Sequence, residues 1–266
     1  MKFRFQRKFL SIPYVLFLIL FVVLPILLII YYAFSDKNGL ISFANAVNFF
    51  SNPDKLEVLF ISLIFGLMNT VFCLLIGYPL AMLLANKKFN KNVVIVMMFI
   101  MPMWINFVIR TWATRDVLSW LGIGGGKYPE MATIIGLVYN YLPFALLPLY
   151  TTMLKMDKSQ IEASYDLGAN PRQTFFRVII PMTTPGIASA ITMVFMPTIS
   201  SYVIADILSE NKVTLFGKYI QIYFNNANYN DGSFLALIML LLIVVSSVIS
   251  KKISKGDNEG GQASIW

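Results

Sequence analysis

The chain has 266 residues, 58% of them hydrophobic and only 13% charged, with a mean hydropathy of +0.71. Soluble domains carry about 25% charged residues, so this composition excludes an ordinary soluble domain. There is no histidine and one cysteine, Cys73, which rules out an internal disulfide, a His/Cys metal site and a histidine-based catalytic triad.

The net charge of +8 does not point to nucleic acid. The lysines and arginines sit at the ends of apolar runs, not interleaved with aromatics on one face. Crossing roughly 30 Å of hydrocarbon takes about 20 apolar residues in a helix, the form that satisfies its own backbone there. Charge-free stretches run from Phe9 to Ser35, Val58 to Asn86, Asn92 to Ile109, Met131 to Leu154, Val178 to Ala205 and Gly232 to Ser250. They predict an all-α integral membrane protein with six transmembrane helices. The first follows Lys2, Arg4, Arg7 and Lys8, but its apolar core is too long for a signal peptide and no small-x-small site closes it. An uncleaved span is expected.

Orientation follows from the basic residues. With both termini cytoplasmic, the inner segments hold Lys2, Arg4, Arg7 and Lys8; Lys87, Lys88 and Lys91; Lys155, Lys158, Arg172 and Arg177; and Lys251, Lys252 and Lys255. The outer segments hold half as many, Arg110, Arg115 and Lys218 among them, and most of the acidic residues. Such an outer face would not repel a cationic solute. Three regions are expected: residues 1–56 with the first span and its outer loop, a five-helix core over 57–252, and a polar, glycine-rich tail over 253–266 that is expected to be disordered.

The inner segment 155–181 carries the clearest local signals. Ser159 and Glu162 have the spacing of a capping box, which predicts a helix start. Gly168 can stop that helix in the left-handed conformation, and Asn170-Pro171 can cap a second one. A rigid, short cytoplasmic helix suits a partner protein. The spacing alone leaves open a plain amphipathic connector on the membrane surface. No nucleotide site is visible: the Gly-Lys pairs at 126–127 and 217–218 are each followed by tyrosine and lack the rest of a phosphate loop.

The order Glu162-Ala163-Ser164, Gly168, Val178 and Ile180-Pro181 resembles the EAA loop of bacterial type I ABC importer permeases. It departs at Ser164 for alanine and at Ile180 for leucine. Pro102-Met-Trp-Ile-Asn106 through Arg110, Ile134 through Asn140, Leu142 through Tyr150 and Tyr202 through Asp206 are similar to the PotB-type permeases of spermidine/putrescine importers within that family. The resemblance implies the MetI-like permease architecture in the bacterial cytoplasmic membrane. It implies a loop that couples to a separate ATPase through Glu162, Ala163, Ser164, Asp166, Leu167, Gly168 and Pro181. It also implies a second, homologous permease as a heterodimer partner, two ATPase subunits that carry ATP and Mg, and an extracytoplasmic polyamine-binding protein. This chain would hold no cofactor and would not be an enzyme.

A polyamine needs aromatic, carbonyl or acidic partners along its path. Aromatic faces attract a desolvated ammonium by roughly 2 kcal/mol or more. Trp104, Tyr139 and Tyr202, with Asn106 and Asn140 beside them, are the candidates, and Asp206 is the carboxylate expected to receive the cation. Belt aromatics and helix-joining asparagines look the same in a sequence. An anion or amino-acid cargo on the same architecture, and an ATP-independent carrier, remain open at this point.

Overall fold

The computed structural model describes residues 12–36, 38–86 and 94–260. Among these residues the helices are α1 (Ile12–Leu18), α2 (Leu24–Ala33), α3 (Ala44–Ser51), α4 (Pro53–Ala85), α5 (Val94–Ile100), α6 (Phe107–Trp120), α7 (Pro129–Leu154), α8 (Lys158–Asp166), α9 (Pro171–Thr174), α10 (Ile180–Ser200), α11 (Val203–Ser209), α12 (Phe216–Asn225) and α13 (Tyr229–Gly260). The one extended pairing among them is an isolated bridge between Ser35 and Ile41.

Five stretches are long and apolar enough to cross a membrane: Pro13–Ala33, Pro53–Ala85, Pro129–Leu154, Pro171–Ser200 and Tyr229–Lys252. The sixth predicted span is different. The run read as straight from 92 to 109 is a pair of helices, Val94–Trp104 and Phe107–Trp120, bent by 98°. Pro102 lacks a donor and closes the first helix in a tight 3₁₀ turn over Met101–Trp104. Ile105 is extended, and the Asn106 side chain then accepts the Val108 N–H at 2.9 Å to start α6. Arg110, Arg115 and Asp116, placed by sequence in an outer loop, therefore lie on a helix. Pro185 and Gly186 lie inside α10. The final helix reaches Gly260, beyond the start of the expected disordered tail. Once begun, a helix extends at one hydrogen bond per residue ordered. The basic N-terminal segment, Lys87, Lys88 and Lys91, and residues 261–266 lie outside the described residues.

The chain divides into two compact units, Met1–Glu57 with Tyr219–Leu241, and Val58–Lys218 with Leu242–Trp266. In the first unit, α1 and α2 expose apolar side chains on all sides, as expected of a helix surrounded by lipid. Two asparagine amides close the end of α2: Asn45 donates to the Ala33 and Ser35 carbonyls at 2.9 and 3.0 Å, and Asn230 donates to the Ser35 carbonyl at 2.7 Å. Lys55 is fully buried there on Asp231, at 2.9 Å.

The second unit is organised around α7. One core joins Cys73, Ala81 and Leu84 of α4 to Ala145, Leu146 and Leu149 of α7 and Ala190 and Val194 of α10. A second joins Phe65, Leu118, Ala132 and Leu137 to Ile204, Ala205 and Leu208 of α11. The small residues let helix backbones approach, which matters where lipid removes the hydrophobic drive for helices to associate. A Cβ on Gly186 would stand 2.7 Å from Thr152 Oγ1, so α10 meets α7 there through the missing side chain. Side-chain hydrogen bonds add to the packing: Asn69 donates to Thr198 at 2.7 Å, and Tyr141 donates to the Pro197 carbonyl at 3.2 Å.

Candidate functional site: a capped loop helix and a polar-aromatic cavity

The loop between α7 and α10 is built by its caps. Asp157, not Ser159, is the N-cap of α8: its carboxylate accepts the Ser159 N–H at 3.0 Å. The Asp157 side chain reaches the second free N–H of the helix, which starts two residues before the expected capping box. The Ser159 backbone N–H, and then its hydroxyl, hold the Asp157 carboxyl below its ordinary value. A depressed carboxyl contributes stability above its ordinary pKa and loses it as pH falls through the depressed value, so the cap is complete at neutral pH.

The exit of α8 is as the sequence suggests. Gly168 has φ of +82°, its N–H donates to the Tyr165 carbonyl at 2.9 Å, and the Ala169 N–H donates to the Ser164 carbonyl at 3.0 Å. These paired bonds make a Schellman motif. Asn170 and Gln173 then form a reciprocal capping box on α9, with Pro171 at its first position. Ser164, where the EAA pattern has alanine, is buried and shares a 3.0 Å hydrogen bond with Thr174. The departure from the pattern ties α8 to α9. Glu162, Ala163, Asp166, Leu167 and Gly168 are exposed, and so is Pro181 at the start of α10. Leu167 is 88% exposed, an apolar knob at the end of a rigid helix.

The second feature is a cavity of about 550 Å³ at the middle of α7. Trp104, Asn106, Asn140 and Tyr202 line it, together with Arg110, Tyr141, Phe144, Pro197, Ser200 and Ser201. Four of the six predicted pathway residues are thus brought together. Tyr139 is not in the lining. Its ring lies beneath the Arg110 guanidinium at 5.5 Å. Asp206 is absent too. It lies in α11 on a separate cavity of about 330 Å³ with Trp112, Arg115, Ile207, Glu210 and Asn211. It is not a free carboxylate, because Lys218 Nζ stands 2.8 Å from its Oδ1.

Arg110 is the residue that sequence reasoning missed. It is 7% exposed, and its donors go to Asn140 Oδ1 at 2.9 Å, the Pro102 carbonyl at 2.6 Å and the Asn140 carbonyl at 3.4 Å. Asn140 in turn donates to the Gly136 carbonyl at 2.8 Å. The guanidinium clamps the bend between α5 and α6 onto α7. The available signal was its position four residues after the helix-capping Asn106, which puts it inside a helix and not in a loop. No Asp or Glu lines this cavity among the described residues. The wall offers aromatic faces, hydroxyls and carbonyls beside the Arg110 guanidinium.

Several membrane-spanning helices, one bent pair, an exposed loop helix and a cavity at mid-helix are features that a membrane permease has. Residues 3–255 match the binding-protein-dependent transport system inner membrane component, and the chain belongs to that family. It is a multi-pass protein of the cytoplasmic membrane. It is 36% identical over 253 residues to the spermidine/putrescine transport system permease protein PotB of Haemophilus influenzae, covering 86% of this chain and 88% of that one. Among solved structures, a bacterial ABC transporter for the import of the acidic polysaccharide alginate aligns with a TM-score of 0.65 at 16% identity, over 93% of this chain and 94% of that chain. The MetNI methionine ABC transporter aligns with a TM-score of 0.57 at 18% identity, over 77% of this chain and 99% of that chain. At such identities the two structures speak for the fold, which is the ABC importer permease fold.

Proposed function

We propose that this chain is the transmembrane permease subunit of an ATP-driven importer of polyamines, spermidine and putrescine. The observation that carries the reading is the 36% identity to PotB over most of both chains. The cavity agrees with it. Three of the five Arg110 N–H donors go to Asn140 and Pro102, which turns much of the guanidinium toward the protein. Trp104, Tyr141 and Tyr202 offer aromatic faces to a cation.

An ATPase and an external binding protein are its partners. In finer detail, two ATPase subunits hold ATP and Mg, and a second, different permease completes the path. The α8 helix is the coupling element. Glu162, Ala163, Ser164, Asp166, Leu167, Gly168 and Pro181 make and brace the surface that docks on the ATPase. A capped, rigid helix transmits its displacement, whereas a floppy loop would absorb it. Closure of the ATPases around ATP moves α8, opens the cavity outward and admits cargo from the binding protein. Hydrolysis resets it. Trp104, Asn106, Asn140 and Tyr202 contact the cargo, Tyr139 supports Arg110, and Asp206 receives the cation first.

The test is uptake of labelled spermidine and putrescine into proteoliposomes holding the full complex. ATP should drive saturable uptake that Glu162→Arg and Gly168→Pro abolish. Gly168→Pro removes the left-handed turn at φ +82°, which proline's ring forbids. ATPase activity stimulated only by another solute's binding protein would keep the architecture and discard the polyamine.

A further inference from the structure

We propose that Asp206 and Asn211 form a seat for an alkylammonium group, filled in this structure by the protein's own Lys218, and that an ammonium of the cargo competes with Lys218 for it. The inference rests on the polyamine reading and adds to it a built-in competitor.

The seat is made of two oxygens on one nitrogen. Lys218 Nζ is 2.8 Å from Asp206 Oδ1 and donates to Asn211 Oδ1 at 3.0 Å. The groups are partly sheltered, with side-chain exposures of 16% for Lys218 and 24% for Asp206. The backbone is bent to make this pairing. Glu210 and Asn211 take φ of 54° and 65°, which non-glycine residues rarely adopt, and the Asn211 N–H donates back to the Asp206 carbonyl at 3.0 Å. Asp206 and Asn211 also line the 330 Å³ cavity, with Asp206 Oδ1 itself buried behind its surface.

What fills the seat identifies what fits it. A lysine side chain is four methylenes ending in an ammonium, the same chemistry as an aminobutyl end of a linear polyamine. The second carboxylate of this cavity is also masked by a cation of the chain, with Arg115 3.5 Å from Glu210 and stacked over Trp112 at 5.0 Å. An arriving ammonium therefore exchanges with one already present. Charge is conserved in the exchange, and the displaced lysine is solvated as the cargo is desolvated. A tethered competitor acts at an effective concentration in the millimolar range and lowers the apparent affinity by the fraction of time it occupies the seat. A weak seat suits a path, because cargo must leave it as readily as it enters.

The test is equilibrium binding to the intact complex in nanodiscs, without binding protein, using n-butylammonium and putrescine as probes. Lys218→Met should tighten both by about tenfold, the scale set by the tether's effective concentration. The gain should vanish in an Asp206→Asn background. Lys218→Gln serves as the second variant, since it keeps a polar group at the seat without the charge. Unchanged or weaker binding in a folded complex that still hydrolyses ATP overturns the proposal, and so does tightening that persists in Asp206→Asn. Tightening of n-butylammonium in a complex that imports no polyamine would keep the seat and remove the cargo. Polyamine uptake with no effect of Lys218 would do the reverse.

Discussion

Arg110 was counted in the sequence as one of the outer-loop cations, yet its guanidinium is buried against oxygens of α7 and of the Met101–Trp104 turn. A charge at such a place is costly unless its hydrogen bonds are all made. Replacement by methionine would leave Asn140 Oδ1 without a donor, at about 1–3 kcal/mol for an unsatisfied group, while the Pro102 carbonyl would keep only the Ile105 N–H at 3.2 Å. Arg110→Met should therefore lower the thermal unfolding midpoint of the complex and its transport rate. Arg110→Lys should recover only part of either, because one ammonium cannot span the three acceptors that the planar fork reaches. Wild-type unfolding and uptake in Arg110→Met would show that the clamp is dispensable.

The same contrast holds between Gly168 and Asp206. Gly168 could be read because only a left-handed residue ends a helix in this way, a rule that holds within five residues of chain. Asp206 could not, because its partner Lys218 is supplied by the start of another helix.

At the level of elements, α8 and α9 are set by local chemistry: the Asp157 cap, the Schellman turn at Gly168 and the Asn170–Gln173 box. That is why the loop was recognisable, apart from the choice of cap between Asp157 and Ser159. The crossing of α7 and α10 was not recognisable, since it depends on which glycine faces which neighbour. A Cβ at Gly186 would lie 2.8 Å from the Thr152 Cβ and 3.2 Å from the Pro148 carbonyl. Neither is the loose end of a long side chain. Gly186→Leu should force α10 off α7, where overpacking costs typically 1–3 kcal/mol or more. The expected result is a sharp fall in the folded yield of the complex by size exclusion, with Gly186→Ala intermediate. Normal yield and activity in Gly186→Leu would mean that this contact is not close in the membrane.

At the scale of the whole molecule, the basic inner segments predict that both termini and α8 are cytoplasmic and that the loop after α11 faces outward. Single-cysteine labelling can check this directly, because Cys73 is fully buried and should contribute little background. In oriented membranes an impermeant maleimide should reach Leu167→Cys from the cytoplasmic side only and Glu210→Cys from the external side only. The reverse pattern would invert the topology and place the Asp206–Lys218 pair on the wrong face for an entry site.

Membrane insertion, five of the six apolar spans and the capped loop over 155–181 were determined by the sequence itself, because each depends on properties of contiguous residues. Twenty apolar residues span a bilayer wherever they are found, and a cap acts within one turn of helix. The break at Ile105, the burial of Arg110, the cavity against α7 and the pairing of Asp206 with Lys218 were decided only by the tertiary structure. Each joins residues far apart in the chain or chooses among partners that the sequence presents as equals. In a medium that gives hydrophobic association little weight, helix positions are chosen by small-residue contacts and hydrogen bonds between helices. Those contacts belong to pairs of surfaces, and no single stretch of sequence contains both.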